Sequence, residues 1–239
     1  MNFQNQHLAR IYKEAGQIIK KSFPNKAYHN INHALFTAKE AMRLFNYEKK
    51  FRIQHQEIFP LEQKDRELLI ISGITHDIVQ RYKKFGKNEE MSAKWLISYL
   101  HDPKYFTEHD HLLIKRAILG TKTLLIDDKL IQEVTKYKKR HKPGTVLFSQ
   151  LLADSDLSGL GMRWPVYWER MSACFKEIYP NPTLQKWLIY LKQQSSILRH
   201  FHYHTEAAQK RYHYLKKNAE RVEMILKNPQ KIENLFKAL

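Results

Sequence analysis

The chain has 239 residues, and its 41 lysines and arginines against 24 acidic residues give a formal net charge of +17 at pH 7. Its apolar fraction of 43% is typical of a globular protein with a buried core and argues against a disordered chain. The single cysteine, Cys174, excludes an internal disulfide framework and favours a reducing compartment, so we expect a cytoplasmic protein.

The sequence offers no candidate for secretion or for insertion into a membrane. No run of about 18 apolar residues occurs, as a transmembrane helix would require. Residues 1–21 lack the continuous apolar segment of a secretory signal, so we expect no membrane partner. The positive charge favours polyanionic partners such as nucleotides or nucleic acid. A basic solvated surface explains the charge equally well, because lysine and arginine are spread along the chain rather than gathered in one arm.

Helical patterning in the first half of the chain predicts an all-α fold. Glycine (7) and proline (8) are scarce, which leaves few of the turn signals that a many-stranded sheet needs. Apolar residues recur at helical spacing from about residue 3 to 22, and Asn30 is a candidate N-cap for a second helix through about residue 45. The stretch RELLIISGITHDIV is apolar nearly all round, which is typical of a helix buried in the middle of a protein.

The second half continues the same pattern. A helix begins in NEEMSAKWLISYL, with Asn88 as its candidate N-cap and Glu89 and Glu90 in its first turn, where the helix dipole favours acidic side chains. Further helices are predicted near residues 107–122, 145–157, 163–178, 183–199 and 204–227. The stretch DDKLIQEVTKYKKRHKPG has no clear periodicity and is left unassigned.

Two of the apolar stretches place histidine and aspartate where chemistry is expected. In YHNINHA, His29 and His33 lie four residues apart and so share one face of a helix. In ITHDI, His76 and Asp77 are adjacent inside an apolar helix, where an unpaired carboxylate is costly to bury. Taken alone, the dipeptide is explained more simply by a salt bridge at a helix end or by a core histidine bonded to the backbone.

A third apolar helix ends in LLADSDLSGLG, which contains Asp154 and Asp156. Residues two positions apart are separated by about 200° around a helix, so only one of the two carboxylates can readily face a common site. Together with the two earlier stretches, this makes three apolar helices that each carry histidine or aspartate, a pattern that favours a metal site.

The order of these residues resembles that of the HD superfamily of metal-dependent phosphohydrolases, and more closely its small branch of predicted HD phosphohydrolases. The stretches that carry the resemblance are YHNINH, ISGITHDIV, NEEMSA, AILGTKT and ADSDLSGLG. The resemblance implies one HD-like all-α domain over residues 1–239, with a motif-bearing core at about 28–161 and a C-terminal helical extension at about 163–239.

The resemblance also implies a ligand set. It makes His33, His76 and Asp77 metal ligands, and the similarity of SDLS to the superfamily's Ala-Asp-Leu-Ser stretch selects Asp156 as the fourth, with Asp154 as the alternate. Nitrogen and oxygen ligands with open positions suit one divalent transition metal ion, namely Mn, Fe, Co, Ni or Zn, and admit Mg²⁺. The histidines between the His-Asp pair and the last aspartate match no two-metal motif, so we expect one ion.

Roles for further residues follow from the same resemblance. YHNINHA is similar to the Tyr-His-Asn-x-x-His-Ala stretch of class I cyclic nucleotide phosphodiesterases, which implies that His29 is a general acid; a hydrogen-bonding residue beside the ligands is the alternative. Asp77 would orient or deprotonate the attacking water. Arg81 and Lys122 are the candidate substrate-binding cations. The Asn-Glu-Glu helix opening (Asn88, Glu89 and Glu90) would orient the metal ligands or the water. Alternatively, these residues would only cap the helix and complement its dipole.

The expected activity is that of a metal-dependent phosphohydrolase, in which a metal-activated water cleaves a phosphate ester or anhydride of a nucleotide or small phosphorylated metabolite. Gln80 and Arg81 stand where alarmone hydrolases have a Glu-Asp pair, which argues against an alarmone substrate. The alternative is a basic nucleotide- or nucleic-acid-binding protein whose metal site is structural or vestigial. The sequence leaves the substrate and the oligomeric state open.

Overall fold

A computed structural model describes residues 3–84, 86–127, 129–139 and 141–239, without the side chains of residues 138 and 139. In this part of the chain, eleven α-helices and one short antiparallel hairpin form an all-α fold, as the sequence predicts. The helices are α1 (Gln6–Ser22), α2 (Ile31–Gln54), α3 (Gln63–Thr75), α4 (Lys87–Tyr99), α5 (Glu108–Gly120), α6 (Pro143–Asp156), α7 (Trp164–Ile178), α8 (Leu184–His200), α9 (Glu206–Arg211), α10 (Leu215–Leu226) and α11 (Pro229–Lys237). The hairpin pairs β1 (Thr123–Ile126) with β2 (Lys129–Gln132), and two 3₁₀ helices span Glu133–Lys139 and Ser158–Gly161.

The start of α2 confirms the predicted cap. Asn30 is extended, and its Oδ1 accepts hydrogen bonds from the backbone N–H groups of Asn32 (2.9 Å) and His33 (3.3 Å). These bonds satisfy two of the backbone donors that a helix leaves free at its N-terminus. The helix runs to Gln54 instead of ending near residue 45, and an ion pair one turn apart, Arg52 Nε to Glu48 Oε1 at 2.8 Å, supports the added turns.

The cap of α4 differs from the prediction. Gly86, with φ of 72°, is the N-cap instead of Asn88, because the chain enters the helix through a left-handed conformation that glycine adopts without strain. Asn88 lies inside the first turn, where its Oδ1 accepts from the N–H of Tyr82 (2.9 Å) and its Nδ2 donates to the Tyr82 carbonyl (3.1 Å). The asparagine therefore ties the loop after the His-Asp pair to α4.

The His-Asp pair lies at the end of α3 and not inside it. The helix ends at Thr75, His76 is its C-cap, and Asp77 lies in a turn that the Ile78 N–H closes on the Thr75 carbonyl at 3.0 Å. In this turn the side chain of Asp77 is directed back towards the ring of His76.

The other differences from the prediction lie in short elements. The unassigned stretch contains β2, a 3₁₀ helix and the start of α6, because strands of four residues carry too few alternations to show a period. The helix predicted near 204–227 is two helices, α9 and α10. The break between them lies at Tyr214, whose backbone N–H donates to the Gly161 carbonyl at 3.1 Å.

The core that positions the site is continuous from α1 to α11. Gly73 of α3 lies so close to α2 that an added Cβ would be 2.8 Å from the Ala38 Cα. The C-terminal helices bury an aromatic cluster that includes Trp187, and Leu160 and Leu215 pack against both this cluster and the main core. Among the described helices, none combines the length and the apolar character needed to cross a bilayer.

Candidate metal centre

Four side chains, from α2, the end of α3 with the turn that follows it, and α6, meet at one point. The Nε2 atoms of His33 and His76 are 3.3 Å apart, and Asp77 Oδ2 lies 3.4 and 3.0 Å from them, respectively. Asp156 Oδ1 lies 3.2 Å from the first Nε2 and 3.3 Å from the second. Ligand atoms bonded to one ion at about 2.1 Å are themselves about 3.0–3.4 Å apart, so this geometry fits a metal ion. His33, His76 and Asp77 form a group that could hold such an ion.

The charges of the site also fit a cation. His33 is 3% and His76 1% exposed, whereas the side chains of Asp77 and Asp156 are 18% and 14% exposed. Burial raises the pKa of Asp77 and of Asp156, but the neighbouring histidines outweigh it and hold both pKa values below their usual range. Burial lowers the pKa of His76, but the two carboxylates outweigh it and raise that pKa well above its usual value. A divalent cation would satisfy the same negative charges.

The two histidines are oriented by different partners. His76 Nδ1 donates to the Gly73 carbonyl at 2.8 Å, so its Nε2 lone pair faces the site, as in metal-binding histidines generally. His33 Nδ1 lies 2.6 Å from Nη2 of Arg170. Because a guanidinium can only donate, Nδ1 is the acceptor in this contact, and a neutral ring then carries its proton on Nε2. Metal binding through Nε2 would require that proton to move to Nδ1 and this contact to open. The sequence analysis did not find Arg170, which has no motif around it and lies 137 residues from its partner.

His29 lies beside the four side chains and is held by a carboxylate from α7. Its Nδ1 donates to Glu177 Oε1 at 2.7 Å, and its Nε2 is 3.8 Å from Asp77 Oδ2. Glu177 Oε2 accepts the backbone N–H groups of Tyr28 and His29, both at 2.9 Å. Burial lowers the pKa of His29, but the charges of Asp77 and Glu177 outweigh it and raise that pKa. Glu177, like Arg170, lies outside every motif of the sequence.

Asp154 lies away from the other ligands. It is fully buried and accepts hydrogen bonds from the N–H groups of His204 and Thr205, both at 2.9 Å, and from Thr205 Oγ1 at 2.7 Å. Thr205 is the N-cap of α9, so the carboxylate fixes the start of that helix. Of the two aspartates in this stretch, the structure brings Asp156 to the histidines.

The two predicted substrate-binding cations lie near the start of α4, Arg81 in the loop before it and Lys122 against its N-cap. Arg81 is exposed, with its guanidinium 5.1 Å from the ring centroid of Tyr82. The side chain of Lys122 packs on Gly86, where an added Cβ would lie 2.5 Å from its Cε. The role of Arg81 and Lys122 in substrate binding stays a prediction.

The three residues of the Asn-Glu-Glu stretch at the start of α4 lie in different environments. Asn88 fixes the loop before the helix, as described above. Burial raises the pKa of Glu89, and Asp77 raises it further, which places Glu89 in the electrostatic field of the site. Glu90 instead pairs with surface lysines, at 3.1 Å from Lys87 and 2.8 Å from Lys94.

A cavity of about 370 Å³ adjoins the centre. It extends from His29 and Asp156 between the hairpin, α7 and α8. Arg170 and Cys174 of α7 are part of its wall.

No family model matches this chain, and neither does any curated protein sequence.

Proposed function

We propose that the protein is a metal-dependent phosphohydrolase of the HD type, which cleaves a phosphate ester or anhydride of a nucleotide or small phosphorylated metabolite. The observation that carries this proposal is the convergence of two imidazole nitrogens and two carboxylate oxygens at separations of 3.0–3.4 Å. The single cysteine supports a cytoplasmic location.

The residues that would hold one divalent transition metal ion are His33, His76, Asp77 and Asp156. Such an ion, when bound, polarises a phosphoryl oxygen and lowers the pKa of a bound water. Asp77 Oδ1 accepts from Gln80 Nε2 at 2.7 Å, which leaves Oδ2 directed at the site. Gln80 thus fixes the carboxylate that would orient the attacking water.

His29 is the proton donor in this proposal. Glu177 accepts from Nδ1, so a proton on Nε2 is directed towards the site, beside Asp77. A protonated imidazole at this position can transfer its proton to the leaving oxygen of a phosphate ester. The carboxylates of Asp77 and Glu177 raise the pKa of His29 against the effect of burial, which favours the protonated ring.

The proposal is tested by metal content and by turnover. We expect the wild type to retain close to one ion per chain, measured by inductively coupled plasma mass spectrometry, and to release phosphate from a nucleotide panel with Mn²⁺. His76→Ala and Asp156→Asn should lose both properties. His109→Ala is the matched control, because that histidine is exposed on α5. Equal metal content in all four proteins, or no turnover by metal-loaded wild type, would refute the proposal.

A second candidate function has an observation of its own. A groove of about 730 Å³ is lined by five lysines, namely Lys84, Lys87, Lys94, Lys115 and Lys122. Such a surface, on a chain with a net charge of +17, suits the backbone of a nucleic acid. In this alternative the metal site is structural.

A further inference from the structure

The cavity beside the metal centre has an unusual charge distribution. Its walls are mostly apolar or neutral, and Arg170 is the only lysine or arginine among its lining residues, all of which the structure describes. The apolar wall includes Leu125, Leu130, Leu160, Met171, Ile178 and Ile197. Its neutral polar groups include two side-chain amides, Gln193 and Gln194, from α8.

Arg170 packs against two aromatic rings. Its guanidinium lies over the ring of Phe36, 3.9 Å from the centroid, and 5.3 Å from that of Tyr28. Its Nε is buried without a hydrogen-bond partner. Of its five N–H donors, one contacts His33 and another is bonded to the Tyr28 side chain, so donors of the guanidinium remain to bind a ligand.

Gly159 makes room for this arginine. A Cβ at position 159 would lie 2.8 Å from Cδ and 2.9 Å from Nε of Arg170, closer than side chains tolerate. Cδ and Nε of Arg170 therefore pack directly against the backbone of Gly159. This packing directs the guanidinium to a position between the metal centre and the cavity.

We propose that Arg170 binds the phosphate of the substrate and that the cavity binds its organic part. The substrate is then a phosphomonoester with one phosphate and an uncharged, largely apolar group of nucleoside size or smaller. A planar guanidinium binds one phosphate by paired hydrogen bonds, whereas a di- or triphosphate would bring further charges into a cavity with no second strong cation. The volume of about 370 Å³ lies at the lower end of the range for small-molecule sites, about 300–1,000 Å³.

This inference rests on the proposed function, but its test is independent of turnover. Metal is removed with EDTA, and isothermal titration measures the binding of nucleoside 5′-monophosphates and phenyl phosphate, each beside its dephosphorylated form, and of the nucleoside 5′-triphosphates. We expect at least one monophosphate to bind tenfold or more tightly than its nucleoside and its triphosphate. Arg170→Gln and Gly159→Ala should each lose that preference. Arg163→Gln, an exposed arginine before α7, should keep it.

Two variants distinguish a loss of phosphate binding from a loss of folding. Gly159→Ala keeps the charge and displaces only the side chain, and Arg170→Lys keeps the charge and loses the paired geometry. Each should weaken monophosphate binding while its thermal unfolding stays cooperative. Triphosphate binding as tight as that of the monophosphate, no monophosphate binding at all, or unchanged binding by Arg170→Gln would overturn the inference. Phosphate release that needs metal but not Arg170 would overturn it and leave the proposed function standing.

Discussion

The ring of His29 lies between two carboxylates that act on its two nitrogens differently. Glu177 is bonded to Nδ1, while Asp77 is 3.8 Å from Nε2. The first contact fixes the ring, and the second places Nε2 beside the residues that could hold a metal ion. The same charges raise the pKa of His29 against the effect of burial, which favours the protonated form that the proposed general acid needs.

Glu177→Gln tests this arrangement. The loss of the negative charge lowers the pKa of His29, so the alkaline limb of the pH profile of kcat should move to lower pH. Because general acids contribute about 10²–10⁴-fold, we expect kcat to fall by about 10- to 100-fold. Glu169→Gln, exposed on the same helix, is the control. If Glu177→Gln kept the wild-type profile, His29 would not be the acid.

Because Asp154 is buried away from the metal centre, we expect its titration to affect the free energy of unfolding of the protein and not its activity. Burial raises its pKa to about 7, although the donors at positions 204 and 205 lower it. The unfolded chain releases this proton near pH 4, so between about pH 4 and 7 the folded state holds a proton that the unfolded state does not. The free energy of unfolding must therefore fall as pH rises through this window, by up to about 4 kcal/mol.

Asp154→Asn should remove that dependence, because an amide does not titrate. The measurement is urea unfolding of both proteins at pH 5 and pH 8. We expect the wild type to lose more of its free energy of unfolding than the variant between the two pH values. An equal loss in both would show that the carboxyl group is already ionised at pH 5.

At the scale of helices, the close packing of α2 on α3 brings His33 and His76 together. Gly73 permits this approach, since a Cβ there would lie 2.8 Å from the Ala38 Cα and 3.0 Å from its backbone nitrogen. The same glycine supplies the carbonyl that orients His76. One small residue therefore sets both the distance between the helices and the direction of a ligand.

Gly73→Ala should separate the two helices. Overpacking against backbone costs about 1–3 kcal/mol, and the displaced ligands should bind metal less tightly. Gly16→Ala is the matched control, because its new Cβ would lie 3.6 Å from Ile31 Cδ1, an ordinary contact, in the interior of α1. We expect the control to gain about 0.5–1 kcal/mol. Chemical unfolding and metal titration of both variants measure the two effects, and unchanged metal affinity in Gly73→Ala would contradict the second.

The length of a helix or strand determines how well the sequence predicts it. Long amphipathic or fully apolar helices were predictable because they repeat the 3.6-residue period several times, as α1 and α3 do. The hairpin and α11 are short and repeat too little. Among the site residues, His33, His76 and Asp77 stand out because histidine and aspartate are rare in apolar stretches. Glu177 and Arg170 do not, since both are ordinary residues of an amphipathic helix and meet their partners 148 and 137 residues away.

For the whole molecule, this means that the C-terminal helices complete the site instead of merely extending the fold. Arg170 and Glu177 both come from α7, which is held by the aromatic cluster around Trp187. That cluster shares Leu160 with the main core, so packing couples α7 to the helices of the candidate metal centre.

The net charge of +17 is the remaining property of the whole molecule, and the lysine groove is where we expect it to act. Lys84, Lys94 and Lys115 are exposed along it. A triple change of these lysines to glutamate should weaken the binding of a single-stranded oligonucleotide at low salt. Each phosphate contact contributes about 0.7 to the slope of log K against log salt, so removal of three contacts should lower that slope by about 2.

The matched control changes Lys13, Lys20 and Lys21 to glutamate, since these exposed residues of α1 carry the same charge away from the groove. Fluorescence anisotropy over a salt series measures the binding of all three proteins, and phosphate release is followed in parallel. For a phosphohydrolase of small substrates, we expect weak, salt-sensitive binding of the oligonucleotide and equal turnover by the wild type and both triple variants. Tight binding that survives 200 mM salt, lost only in the groove variant and without turnover, would instead establish the nucleic-acid alternative, because electrostatic contacts alone weaken steeply at that salt concentration.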